Sequence, residues 1–507
     1  MAGHRKLSAQ QAALLAVFCA SLTQAADQPQ WGAAWSRNMV SEEKGLPETV
    51  DPATGRNVKW VVRLGTQTHS TPIVARGRVF IGTNNDRPKN PRHRGDCGVL
   101  LCLDESSGKL LWQLVVPKRG PTPFWDWPHT GMVSPATVEG DRVYMVSNRG
   151  EIMCLDIDGM ADGNDGPFRD EGRHMARHGR PPEPIDPTDA DILWLYDAPK
   201  ELGVRQHDGA HCSILIDGNV LYACTSNGVD DRHMSIEAPD APCLIALDKR
   251  DGRLLARDRE RIAVRTIHCN WAPPSLAETG GRRLILYGGG DAVCYAFKAL
   301  SEPLPKTPVA LEKVWQYDCD PEAPKENIFR WQENHREGPS IITGMPVFYN
   351  GRVYVTAGGD YWHGKRKSWL RCFRADGRGD VTRAAAVWSF PMNAPCMNTP
   401  AIRNGLVYVA DARGGLHCLE EADGRLLWTQ ELGGDVWSSP LVADGKIYIG
   451  TRRGWLWILR AGRRKEVLCK VRLGAPISGT ATAANGVVYV ATMTRLFALA
   501  KGAGAGK

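Results

Sequence analysis

Five short stretches carry side chains able to do chemistry: "THSTP" with His69, "FWDWPHTG" with Trp125, Asp126 and His129, "QHDGAH" with His207, Asp208 and His211, "HCNWAPP" with His268 and Trp271, and "DVWSSP" with Asp435 and Trp437. Imidazole, carboxylate and indole gathered in one place form a polar, aromatic-walled ligand site or a metal site. Imidazoles in such loops can equally do no more than hydrogen-bond nearby backbone. The chain has neither an H-E-x-x-H nor a C-x-x-C pair, so no metal-ligand spacing is set by sequence. Whether the five stretches act together depends on the elements that bring them to one place.

Two other stretches look more chemical than they are. "DIDGMADGNDG" has the acids of a calcium loop, but counting from Asp156 puts Met160 and Ala161 where an oxygen ligand and a glycine are needed. Counting from Asp162 puts Gly166 and Pro167 there. A solvated turn rich in Asp and Asn is the expectation. "YGGGDAV" at 287 lacks the lysine and following helix of a phosphate loop and reads as a tight turn between strands.

The positioning elements are visible in a repeat. "CLDESSGKLLW" at 102–112 returns as "CLEEADGRLLW" at 418–428. A run rich in Val, Ile and Tyr recurs as "GRVFIGT" at 77, "DRVYMVS" at 141, "NVLYACT" at 219, "RLILYGG" at 283, "RVYVTAG" at 352, "LVYVADA" at 406, "KIYIGTR" at 446 and "VVYVATM" at 487. Three such runs per unit, punctuated by Gly, Asn and Asp and followed by a Trp-bearing run, are four antiparallel strands, and the repeat predicts an all-β, eight-bladed propeller. Outer strands carry Trp112, Trp194, Trp315, Trp388 and Trp428, with Ala256 and Cys469 as departures. The eighth outer strand is missing after "RLFALAKG" and is expected at the other end, in "NVKWVVRL" with Trp60. Closing the ring that way removes exposed sheet edges. In the repeated turn the Asp bonds backbone N–H groups, Gly takes a left-handed conformation and Trp anchors the outer strand. The connectors between blades open onto one face of an axial funnel, and the five stretches lie in them.

Of 507 residues, 43% are apolar and 23% charged, and the formal net charge is +7 with no long basic block. That is a globular composition and argues against a nucleic-acid binder. The opening "MAGHRKLSAQQAALLAVFCASLTQAAD" reads as a secretory signal peptide over 1–25, followed by an extension at 26–56 packing on the propeller at 57–500 and a flexible Gly/Ala tail at 501–507. No other run approaches membrane-spanning length. Phe18 before Cys19 is too large for a lipidation site. A monomer, periplasmic or secreted, is expected. Cys102, Cys154, Cys372 and Cys418 share a register position that elsewhere holds Ala246, Ala296, Ile458 and Ala498 and read as packing residues. The nine other cysteines beyond the leader are left open to pairing.

The Asp, Gly and Trp pattern around eight blades resembles the tryptophan-docking repeat of the pyrroloquinoline quinone (PQQ) propeller superfamily over about 57–499. "WSRNMVSEEKGLP", "TSNGVDD", "DWPHTG" and "VWSSPLVADGKIYIGT" are similar to exported PQQ-binding-like repeat proteins, most of which have no assigned activity. The resemblance implies a binding or scaffold module for a small molecule or an envelope protein, as in the propeller that assists outer-membrane protein assembly. The alternative it implies is a PQQ- and calcium-dependent alcohol or sugar dehydrogenase. There the quinone lies between a Trp and a disulfide of adjacent cysteines, which would make Trp271 the aromatic floor, Asn227 a calcium ligand and Asp126 the base. No two cysteines are adjacent in this chain, and it has no C-x-x-C-H haem site.

Overall fold

A computed structural model describes residues 26–504, apart from 120, 121 and 123. The signal peptide expected at 1–25 and the last three residues of the expected tail, 505–507, lie outside the described residues.

Each recurring Val/Ile/Tyr run is the second strand of its own sheet, and eight sheets form the ring: blades 1 (73–117), 2 (137–197), 3 (215–257), 4 (275–318), 5 (347–392), 6 (401–431), 7 (441–472) and 8 (482–500). Blade 8 takes its outer strand from the start of the chain. Val58–Arg63 pairs antiparallel with Arg495–Ala500, placing Trp60 opposite Ala498 and Val61 opposite Phe497. The protein is an eight-bladed β-propeller. Alternation along the strands puts one apolar face against each neighbouring blade, so the core is a series of inter-blade layers.

The repeated turn and the outer-strand Trp turn out to be two halves of one contact between blades. Trp112 of blade 1 donates its indole N–H to the Ile157 carbonyl of blade 2 at 2.8 Å. Trp194, Trp315, Trp388, Trp428 and Trp60 repeat this with the carbonyls of Lys249, Ala375, Glu421, Gly462 and Glu105 in the blades that follow them. The turn glycine is fixed by the same contact. A Cβ on Gly252 (φ +75°) would lie 2.5 Å from the Trp194 ring, and one on Gly424 (φ +72°) 2.5 Å from that of Trp388. Trp112→Phe removes the donor together with the pyrrole half of the indole from a site 1% exposed, and is expected to cost about 2–3 kcal/mol in urea unfolding, from the Ile157 carbonyl left without its partner and the space left behind.

Three blades depart from four antiparallel strands by adding a two-residue parallel strand. Blade 3, whose outer strand has Ala256 in place of Trp, is extended where Val309–Ala310 lies beside Leu254–Arg257. Gly379–Asp380 lies beside Lys313–Asp318 in blade 4, and Val40–Ser41 beside Leu441–Ala443 in blade 7. Innermost strands face the axis with a free backbone edge, and residues 28–41 take up that edge in all eight blades. Gln28 pairs with Val74, Pro29 O accepts from Val138, Trp35 O from Leu276, Ser36 O from Phe348 and Met39 O from Val442. The Asn38 carboxamide exchanges two bonds with Ile402, and Ser41 donates to Ala483 O. Blade 3 is held by Arg37. This fully buried guanidinium donates to the carbonyls of Trp31, Ser213, Ile214 and Pro274 and to Ser213 Oγ at 2.9–3.1 Å.

Each of the thirteen described cysteines is a free thiol, and all but Cys469 are buried. Burial lifts the Cys97 thiol to about 12 and raises those of Cys102, Cys154, Cys372 and Cys418 as well, so these behave as small apolar side chains.

Candidate functional site

Successive antiparallel strands reverse direction, so two kinds of loop reach the same face of a propeller: the connectors between blades and the loops joining the second and third strands within a blade. Both line a cavity of about 570 Å³ at the axis. The connectors supply His69, Asp208, His211, His268, Trp271 and Trp437 of the residues singled out in the sequence. Trp31, from the segment crossing the axis, adds to the wall and meets His211 edge-on at 5.8 Å.

The walls are mostly rings. His69 stacks on Trp437 at 6.0 Å, and Trp437 packs edge-on against Trp362 at 5.8 Å. Trp362 in turn meets Trp271 at 6.3 Å. Trp271 is fixed by its indole N–H, which donates to Gly209 O. Arg452 lies over the Trp437 ring at 4.3 Å, donates to Ser478 Oγ and lines the cavity, and among the described residues it forms no ion pair with a carboxylate. Burial, then the charge of Arg452, pushes His69 down to about 3, so its ring is neutral.

Opposite this wall sits a histidine cluster. His207 Nε2 is 2.9 Å from His233 Nε2, and His268 lies between two carboxylates, with Nδ1 3.2 Å from Asp360 Oδ2 and Nε2 3.4 Å from Asp208 Oδ2. Burial pulls the His268 imidazole down, but Asp360 and Asp208 together outweigh it and lift it to about 9. Burial and the neighbouring His268 drive His207 the other way, to about 3. Asp360 Oδ1 accepts from the backbone N–H groups of Trp362 and His363, so one carboxylate both folds the 360–363 turn and holds His268.

The remaining sequence candidates lie outside the cavity lining. His207 stands behind it, stacked on Phe124 at 5.7 Å. Trp125 carries the Arg205 guanidinium over its ring at 4.9 Å. His129 is exposed and pairs with Asp86 at 2.7 Å, and Asp435 accepts a hydrogen bond from Tyr361. Asp126 is buried against Asn148, and Asn227 is buried with its oxygen accepting from the Arg205 N–H and its amide donating to Ala238 O. Residues that sequence reasoning missed include Phe124, Trp127, His233, Trp362, His363 and Arg452. Trp127 and Phe124 flank the chosen Trp125 and Asp126, while His233 and "DYWH" at 360–363 sit in loops after a second strand. The concentration of aromatic and imidazole side chains in "DYWHGK" was the available signal.

The residues assigned by the quinoprotein resemblance do not fit a quinone and calcium. The Asn227 carboxamide is engaged by backbone in a closed site, Asp126 does not face the cavity, and the cysteines are isolated thiols.

A family model described as outer membrane protein assembly factor BamB matches residues 32–159, 95–294 and 366–505. No curated protein matches the chain. Among solved structures, BamB from Moraxella catarrhalis is similar at 12% identity and a TM-score of 0.51, covering 87% of this chain and 97% of that one. The computationally designed Ika8 protein gives 10% and 0.49, covering 91% and 99%. The quinohemoprotein alcohol dehydrogenase of Comamonas testosteroni gives 12% and 0.45, covering 94% and 81%. With the family matched over most of its length and eight blades closed in a ring, the chain belongs to the PQQ-like repeat propeller family described as outer membrane protein assembly factor BamB.

Proposed function

We propose that the protein is an exported, periplasmic or secreted binding module whose axial cavity takes a small ring compound bearing one anionic group. The observation that carries this is the pairing of ring walls with Arg452. His69, Trp271, Trp362 and Trp437 offer flat faces around about 570 Å³, the size of a small-molecule site. The Arg452 guanidinium, held over Trp437 and by Ser478 Oγ and without a carboxylate ion pair among the described residues, is placed to meet a carboxylate, sulfate or phosphate. The test is a thermal-shift and calorimetric comparison of glucuronate, a sulfated monosaccharide and an aromatic carboxylate with their neutral counterparts. Anionic ring compounds are expected to bind, with Trp437→Ala and Arg452→Ala each weakening them at least tenfold, about 1.4 kcal/mol. Equal binding of neutral and anionic probes, or no loss in Arg452→Ala, sinks the reading.

A second reading rests on the rim. Trp127 is 45% exposed, Trp362 44%, and Met234, next to His233 in sequence, 60%. Such apolar exposure suits a docking envelope protein, in keeping with the assembly role in the family's description. Capture from an envelope extract by wild type but not by Trp127→Asp supports it, and identical capture by both counts against it. No helix among the described residues is long and apolar enough to cross a membrane.

A further inference from the structure

We propose that His207, His233 and His268 bind a divalent first-row transition metal, such as zinc, at the wall of the axial cavity. The inference uses the same cavity but does not depend on the ring-binding reading. One nitrogen from each imidazole lies within 4.8 Å of the others, and the Nε2 atoms of His207 and His233 face each other at 2.9 Å. Zinc–nitrogen bonds of about 2.0–2.1 Å in a tetrahedron place neighbouring ligands about 3.3 Å apart, so that pair is within about 0.5 Å of the required spacing and the third nitrogen, no more than 4.8 Å away, has at most about 1.5 Å to close.

The supporting groups are those that metal-binding histidines use. The Nδ1–H of His207 donates to the Val229 carbonyl at 3.0 Å, which leaves Nε2 with its lone pair toward His233. The Nδ1–H of His268 donates to Asp360, giving a carboxylate–histidine arrangement that fixes the ring and raises its basicity. Asp208 adds an independent sign: its Oδ1 is buried without a hydrogen-bond partner, 3.6 Å from His207 Nε2, while Oδ2 faces His268. An ion among these groups gives that oxygen a partner. His233 and His268 line the cavity, so the ion's remaining positions open onto it. Imidazole ligands with a carboxylate beside them suit zinc, copper(II) or cobalt(II) and not calcium.

The experiment uses untagged, chelator-stripped protein titrated with Zn²⁺ by calorimetry and with Co²⁺ by visible absorption. Expected are one Zn²⁺ per chain with micromolar or tighter affinity and a Co²⁺ d–d band. His233→Gln, at a half-buried loop position, should weaken Zn²⁺ at least tenfold and abolish the band while leaving the metal-free melting curve unchanged. Asp360→Asn should weaken it about tenfold through the orientation of His268. His417→Gln, on a histidine remote from the cavity, should leave uptake as in wild type. Trp437→Ala should retain Zn²⁺ whatever becomes of ring compounds, which separates failure of one reading from failure of the other. No stoichiometric uptake by wild type, or equal uptake by wild type and His233→Gln, overturns the proposal.

Discussion

Replacing Arg37 by alanine is expected to cost about 3–5 kcal/mol, the largest loss from any single substitution in the segment that crosses the axis. The guanidinium is fully buried, and burial lowers it to about 10, so it remains charged at neutral pH. No carboxylate pairs with it among the described residues. Its compensation is five hydrogen bonds to Trp31, Ser213, Ile214 and Pro274. Alanine leaves the carbonyls of Trp31, Ser213 and Pro274 and the Ser213 hydroxyl without the donor that Arg37 supplies, Ile214 O keeping its bond from Thr137, in a space that collapse cannot close because it lies where innermost strands converge. Arg37→Lys supplies three donors at one point and is expected to recover less than half of the loss. Because residues 28–41 also complete the inner edges of the other blades, amide exchange at Val74, Val138 and Ile402 should rise in Arg37→Ala under native conditions. Urea unfolding within about 1 kcal/mol of wild type would show that the axial segment is held by backbone pairing alone.

That segment also marks where the sequence stopped being readable. Blades announce themselves because each solves the same packing problem with the same residues. A Trp in the outer strand needs a glycine turn and a free carbonyl in the next blade, so both ends of the contact recur at blade spacing. Even the missing eighth strand could be assigned to Trp60, since an open ring leaves a vacancy of known type. "WGAAWSRNMVS" has no such signature. Its bonds are made mainly by backbone, and its one decisive side chain, Arg37, looks in sequence like any surface arginine. The cavity falls between these cases. Connector residues such as His268 and Trp437 were legible from their place after an outer strand, whereas His233, Asp360 and Trp362 sit in loops inside blades. Their presence at the same face follows from strand reversal, but which side chain turns inward is set by loop conformations that have no repeat to read. Sequence neighbours then diverge: of "FWDW", Phe124 and Trp127 face the cavity and Trp125 and Asp126 do not.

Asp126 shows what that divergence does to chemistry, and its replacement by asparagine is expected to stabilise the protein by about 2–4 kcal/mol at pH 8 with little effect at pH 4. The side chain is 3% exposed. Oδ2 accepts from Asn148 at 2.8 Å, and Oδ1 has no partner. Burial, with Asp96 adding to it against Lys118, Asn148 and Arg149, lifts the carboxyl to about 7. The folded state therefore binds this proton more tightly than the unfolded chain, whose carboxyl titrates near the ordinary 3.8. Between those values stability falls as pH rises, and above about 7 the full cost of a buried carboxylate is present. Asparagine carries no charge, and its amide oxygen can keep the bond from Asn148. Urea unfolding of both proteins at pH 4 and pH 8 checks this: a difference that is the same at the two pH values removes the buried-carboxylate account. A carboxyl poised near neutrality is what a general base requires, yet this one faces Asn148 and not the cavity, so Asp126→Asn should bind anionic ring compounds as wild type does. A loss of binding there would instead put the carboxylate in contact with the ligand and move the site toward blade 2.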